Sequence, residues 1–127
     1  MLKMRYLILY VSNLEKSLTF YTESLGFPVR GNHGTYVELD TGHTILALIE
    51  RDNVQELTGL TYNSTPESSQ TFEIGFVTED VVATIEALRV KGVKIIKEPI
   101  TKPWGQTVAY VGDPDGHYIE ICSSMDS

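Results

Sequence analysis

Glu120 stands between Ile119 and Ile121 in the run GDPDGHYIEICSS, and Glu73 sits near the head of a second apolar run, TFEIGFVT. A carboxylate in such a place can move a proton, hold a hard cation, or simply meet water on the wet side of a sheet. Strand parity limits the choice, because successive side chains point to opposite faces. Ile119 and Ile121 therefore share one face, expected to lie under a helix, and Tyr118, Glu120 and Cys122 share the other. By the same parity Ile74 and Phe76 turn toward the helix while Glu73 and Gly75 turn away from it.

The other reactive residue types carry weaker signals. His33 in RGNHGTY, His43 in TGHTI and His117 in DGHYI all lie beside glycine and read as turn residues. His117 is three residues from Glu120, an odd spacing that puts the two on opposite faces. Cys122 has the parity to sit beside Glu120, where a neighbouring carboxylate raises a thiol's pKa, so it reads as a small packing residue rather than a nucleophile. Trp104 in KPWGQT is either the wall of a pocket for a flat ligand or an anchor for its own loop. Tyr6, Tyr10, Tyr36, Tyr110 and Tyr118 add aromatic surface. The sequence contains no G-x-S-x-G, P-loop, CxxC or dinucleotide glycine pattern.

The elements that must position these groups come in two copies. RYLILYV reads as a strand and SNLE as a helix start, with Ser12 and Glu15 as an S-x-x-E capping box. Leu14, Leu18, Tyr21 and Leu25 then form an apolar stripe, and Gly26 stops the helix. The second half repeats the order: TFEIGFVT as strand, EDVVATIEALRVK as helix with Val82, Ile85 and Leu88 on its stripe, and Gly92 as stop. Asn13 maps to Asp80 and Gly26 to Gly92. Three strand-like runs follow each helix: FPVRG, GTYVELDT and HTILALIE, then VKIIKEP, QTVAYVG and HYIEICS. The unit is βαβββ, used twice, an α+β class in which each mixed sheet has one face covered by its helix. The expected layout is a single domain over 1–127, with module one at 1–50, a linker at 51–70 and module two at 71–127. The linker reads as a solvated tether or as a lid with Leu57, Leu60 and Tyr62 on its apolar side.

A chain of 127 residues is long enough for one packed core. A net charge of −7 disfavours nucleic acid and anionic membrane as partners, since both need clustered Lys and Arg. One cysteine rules out an internal disulfide and suits a reducing compartment. The N-terminal MLKMRYLILYVSN lacks a small-residue cleavage pattern, and no stretch reaches the roughly 18 to 20 apolar residues of a membrane span. The expected location is the cytoplasm.

Two βαβββ modules, one opening LYVSNLEKSLTFYTESLGF and the other closing PWGQTVAYVGDPDGHYIEI, resemble the vicinal oxygen chelate superfamily of glyoxalases, bleomycin-resistance proteins and extradiol dioxygenases. The resemblance covers essentially the whole chain. It implies curved mixed sheets around a cleft and, in the enzymes, one divalent metal on the first and fourth strands of each module. Those places fall here on Tyr6, Ala47, Glu73 and Glu120. Tyr6 and Ala47 depart from the usual ligands, which argues against zinc and leaves Mg²⁺ or Mn²⁺ on Glu73 and Glu120, or no metal.

If the two glutamates converge, they are positioned to share a proton or recruit a cation. The leading expectation is a homodimeric protein that binds a small organic molecule in an acidic, aromatic cleft, with Tyr6, Ala47, Trp104, Tyr110 and Tyr118 lining it. A cationic ligand would gain from the ring faces. Two alternatives are a divalent-metal-dependent lyase or isomerase using Glu73 and Glu120, and a non-catalytic structural or regulatory dimer.

Overall fold

The computed structural model describes residues 1, 3–60 and 72–125. The chain divides into two compact units, Met1–Pro66 and Glu67–Ser127. Each holds one four-stranded mixed sheet of the same topology, the α+β arrangement expected from the repeat.

In unit one, β1 (Tyr6–Val11) leads into α1 (Leu14–Thr19), which continues as a wider π turn over Phe20–Ser24. Then come β2 (Val29–Asn32), β3 (Tyr36–Asp40) and β4 (Ile45–Glu50), in sheet order β1-β4-β3-β2. β1 runs parallel to β4, and the other pairs are antiparallel. Alternation sends Leu9, Val11, Val37, Leu39, Leu46 and Leu48 into the core together with Phe20 and Tyr21 of the helical segment.

The helix start differs from the capping-box expectation. Asn13, not Ser12, is the cap: its backbone is extended and its Oδ1 accepts from Lys16 N at 3.0 Å. The buried stripe also shifts, with Ser17, Phe20 and Tyr21 fully covered and Leu14, Leu18 and Leu25 only half-buried. The π turn explains part of this, because its extra residue rotates the following side chains around the axis.

Residues 51–58, read from sequence as the start of a linker, are helical: a 3₁₀ turn at Arg51–Asn53 leads into α2 (Val54–Thr58), with Val54 buried and Gly59 closing it at φ 75°. Leu57 and Leu60 are exposed. Tyr62, the third side chain of the lid reading, lies outside the described residues.

In unit two, β5 (Glu73–Val77) is followed by α3 (Val81–Val90), β6 (Lys94–Thr101), β7 (Thr107–Gly112) and β8 (Tyr118–Cys122), in sheet order β5-β8-β7-β6. β5 is parallel to β8. Asp80 caps α3 through Oδ1 to Ala83 N at 3.0 Å, as its counterpart Asn13 does in unit one. The buried stripe is Val81, Ile85 and Leu88; Val82 is exposed, a one-residue correction to the expected face. Against it lie Ile74, Ala109, Val111, Ile119 and Ile121, all buried. Among the described residues, no helix is long and apolar enough to cross a membrane.

Candidate functional site

The register of unit two assembles an acidic group on the sheet face away from α3. Glu73 pairs with Tyr118, Gly75 with Glu120, and Val77 with Cys122. On the other side of β8, Tyr110 pairs with Glu120 and Gly112 with Tyr118. Paired residues share a face, so Glu73, Tyr110, Tyr118, Glu120 and Cys122 lie together on three adjacent strands.

Tyr110 ties the two acids together. Its hydroxyl lies 3.2 Å from Glu73 Oε1 and 3.3 Å from Glu120 Oε2, so the ring reaches from β7 across β8 toward β5. Both distances are long for an O–H···O bond, as expected when one proton serves two acceptors. The phenol's pKa is pushed up from 10.0 to about 12, first by burial and then by the charges of Glu120 and Glu73. Ionising it would add a third negative charge to the group, so it remains a donor at neutral pH.

Cys122 is buried, and its thiol is pushed up from 9.0 to about 11, mainly by burial and then by Glu120. A thiol held protonated in this way is inert as a nucleophile, the packing role expected of it. Gly75 leaves room for the neighbouring carboxylate: a Cβ there would lie 3.1 Å from Glu120 Oε1.

His117 belongs to the β7–β8 turn. Its Nδ1 stands 2.7 Å from Oδ2 of buried Asp113, whose Oδ1 accepts from Asp115 N at 3.0 Å and His117 N at 2.8 Å. Trp104 sits at the tip of the β6–β7 hairpin, at the end of the sheet away from the Glu73–Tyr118 pair. The residue is 64% exposed, and its Nε1 donates to Gln106 Oε1 at 3.1 Å. Gln106 Nε2 donates in turn to Ser123 O, which anchors the loop to its own unit.

Unit one places different residues at the matching positions. Tyr6 pairs with Ile45 as Glu73 pairs with Tyr118, and Ala47 lies between Ile8 and Glu38 as Glu120 lies between Gly75 and Tyr110. Tyr6 is 51% exposed and Ala47 is fully buried. Here the phenol–carboxylate contact is Tyr36 Oη to Glu38 Oε2 at 2.9 Å, with Arg30 Nε 3.6 Å from Glu38 Oε1. Tyr36 is also pushed up to about 12, by burial and then by its bond to Glu38. Of the candidates expected from sequence, Glu73, Glu120, Tyr110 and Tyr118 share one face of unit two while Tyr6, Ala47 and Trp104 lie elsewhere; sequence reasoning missed Tyr110 as the shared donor and the Arg30–Glu38–Tyr36 group. The i, i+2 spacing of Tyr36 and Glu38 was the available signal for the latter.

The donors do not fit zinc. A catalytic zinc site takes three protein ligands, commonly including imidazole, whereas this face offers two carboxylates, a phenol and a protonated thiol. Among the described residues, no group of three or more His, Cys, Asp or Glu side chains is placed to hold a metal ion.

Two four-stranded sheets, each built as β-helix-β-β-β, define the class of fold as that of the vicinal oxygen chelate proteins. The chain belongs to the glyoxalase-like domain family, whose model matches residues 4–126. It is 36% identical over 124 residues to the uncharacterized protein YraH of Bacillus subtilis, covering 94% of this chain and 97% of that protein. A probable lactoylglutathione lyase of Synechocystis is 34% identical over 118 residues, covering 87% of each. In fold it resembles a glyoxalase/bleomycin resistance protein/dioxygenase from Nocardioides, with a TM-score of 0.85 at 23% identity over 100% of this chain and 86% of that one.

Proposed function

We propose that this glyoxalase/bleomycin-resistance-like protein binds a small organic cation on the Glu73–Tyr110–Tyr118–Glu120 face of unit two, without a zinc ion. The observation that carries the reading is the single Tyr110 hydroxyl between two carboxylates, with no basic side chain paired to either among the described residues. A cationic ligand would supply the missing positive charge, and the exposed Tyr118 ring on the same face offers a cation–π surface. The test is thermal shift with benzyltrimethylammonium against benzoate. The cation should raise the melting temperature and benzoate should not. Tyr110→Phe should shrink the shift, and Glu120→Gln should shrink it further. Equal shifts from both compounds, or none from either, would refute the reading.

The second reading is a lyase, favoured by the relatives named as probable lactoylglutathione lyases. It requires turnover of methylglyoxal hemithioacetal that a chelator abolishes and Glu120→Gln cripples. If a cation of hard character is recruited instead, Mg²⁺ or Mn²⁺ would suit the two carboxylates better than zinc. We extend the proposal to a cytoplasmic homodimer with no nucleic-acid or membrane partner, which light scattering after gel filtration and cell fractionation test.

A further inference from the structure

We infer that Gly75 is a positioning residue for this site: the missing side chain on β5 leaves the notch in which the Glu120 carboxylate lies. The inference rests on the reading of the Glu73–Glu120 face as a binding site. Its physical basis is the cross-strand pair. Glu120 is directly opposite Gly75 on one side and Tyr110 on the other, with Oε1 over the glycine and Oε2 toward the phenol. A Cβ at Gly75 would come 3.1 Å from Oε1, tighter than nine in ten real Cβ contacts, so the carboxylate would have to give by a few tenths of an ångström. The movement available is a rotation of Glu120, which changes the distance from Oε2 to the Tyr110 hydroxyl.

Nothing else among the described residues calls for glycine at position 75. Its φ is not positive, as it is at Gly26, Gly92 or Gly116, so the backbone there suits any residue. Among the described residues, a Cβ there would meet only Glu120 Oε1 within 4 Å. Glycine inside a strand normally weakens it, so its presence at a site of close approach marks a side chain that must be accommodated. Unit one supports this by inversion: at the matching pair the bulk is on β1 as Ile8, and β4 carries Ala47. In each unit one partner of this pair is small.

The test is a double-mutant cycle with two readouts. In the chain with Glu120, Gly75→Ala should lower the melting temperature and weaken benzyltrimethylammonium binding several-fold. In a Glu120→Ala background the same substitution should leave the melting temperature unchanged or raise it, since alanine suits a strand better than glycine. In a Glu120→Gln background it should cause little further loss of affinity. Equal destabilisation in the Glu120 and Glu120→Ala chains would overturn the inference, because the glycine would then serve the backbone. If Gly75→Ala alone does not fold, recovery of folding in the Gly75→Ala/Glu120→Ala double variant supports the inference, and failure to recover overturns it. Should the unmodified protein bind no benzyltrimethylammonium, the functional reading falls, while the stability cycle still decides the role of Gly75.

Discussion

The two units solve the same structural problem with the same topology and then diverge on one sheet face. Unit one pairs one phenol with one carboxylate and balances it with Arg30. Unit two sets one phenol between two carboxylates, with no basic partner among the described residues. The phenols occupy different strand positions: Tyr110 sits where unit one has Glu38, opposite the Ala47 that matches Glu120. A duplicated scaffold thus fixes where side chains project, and a few substitutions decide whether that face is neutralised or left acidic. Glu73 is exposed and Glu120 half-buried, and an acidic face without a basic partner is more informative about function than one whose charge is balanced.

The largest expected difference between the units lies in their matching turns. Asp113 is buried and accepts from His117 Nδ1 and two backbone amides, while exposed Asp40, at the end of β3 beside the other turn, accepts one such bond among the described residues, from Gly42 N at 3.0 Å. Asp113→Ala leaves three part-buried donors unpaired and should cost about 1–3 kcal/mol. Asp40→Ala should cost less than about 1 kcal/mol. Urea denaturation of both variants measures the contrast, and equal losses would break it.

Alkaline pH should expose a smaller effect shared by both units. The folded state holds the Cys122 proton up to a pKa of about 11 rather than 9.0, and the Tyr36 and Tyr110 protons up to about 12 rather than 10.0. Below pH 9 folded and unfolded chains both keep these protons, so the stabilisation is complete. Above it the unfolded chain releases them first, and stability falls as pH rises toward the folded values. Melting temperature measured from pH 8 to 12 should therefore decline, with Cys122→Ala flattening the part between 9 and 11. Tyr110→Phe and Tyr36→Phe should each flatten the part between 10 and 12, and a profile unchanged by all three variants would refute this account.

The smallest contrast concerns one position on each first helix. Ser17 is fully buried and its hydroxyl has no partner among the described residues, whereas Thr84, its counterpart at the same offset that links Asn13 to Asp80, bonds Asp80 O at 2.8 Å and contacts Thr78 Oγ1 at 3.0 Å. Ser17→Ala should leave stability unchanged or raise it by up to about 1 kcal/mol, while Thr84→Ala should lower it by about 1 kcal/mol. Thermal melts should show a loss for Thr84→Ala and none for Ser17→Ala, and a loss from Ser17→Ala as large as that from Thr84→Ala would contradict the unpartnered hydroxyl.

The sequence by itself determined the repeat, the eight strands seen among the described residues and the faces of Glu73, Glu120 and Cys122, because strand parity and helix periodicity are local and survive any tertiary detail. It left one-residue ambiguities where neighbouring residues suit the same role. Ser12 and Asn13 can both cap a helix, and the choice rests on which backbone becomes extended; Val81 and Val82 differ only in the phase at which α3 meets its sheet. Only the tertiary structure decided that Tyr110 bridges the two acids, that Gly75 clears space for one of them and that Asp113 clasps His117. The first two join residues 10 to 45 positions apart and depend on register and side-chain reach, which strand pairing sets and no local pattern encodes, while the third is closed by the geometry of its turn.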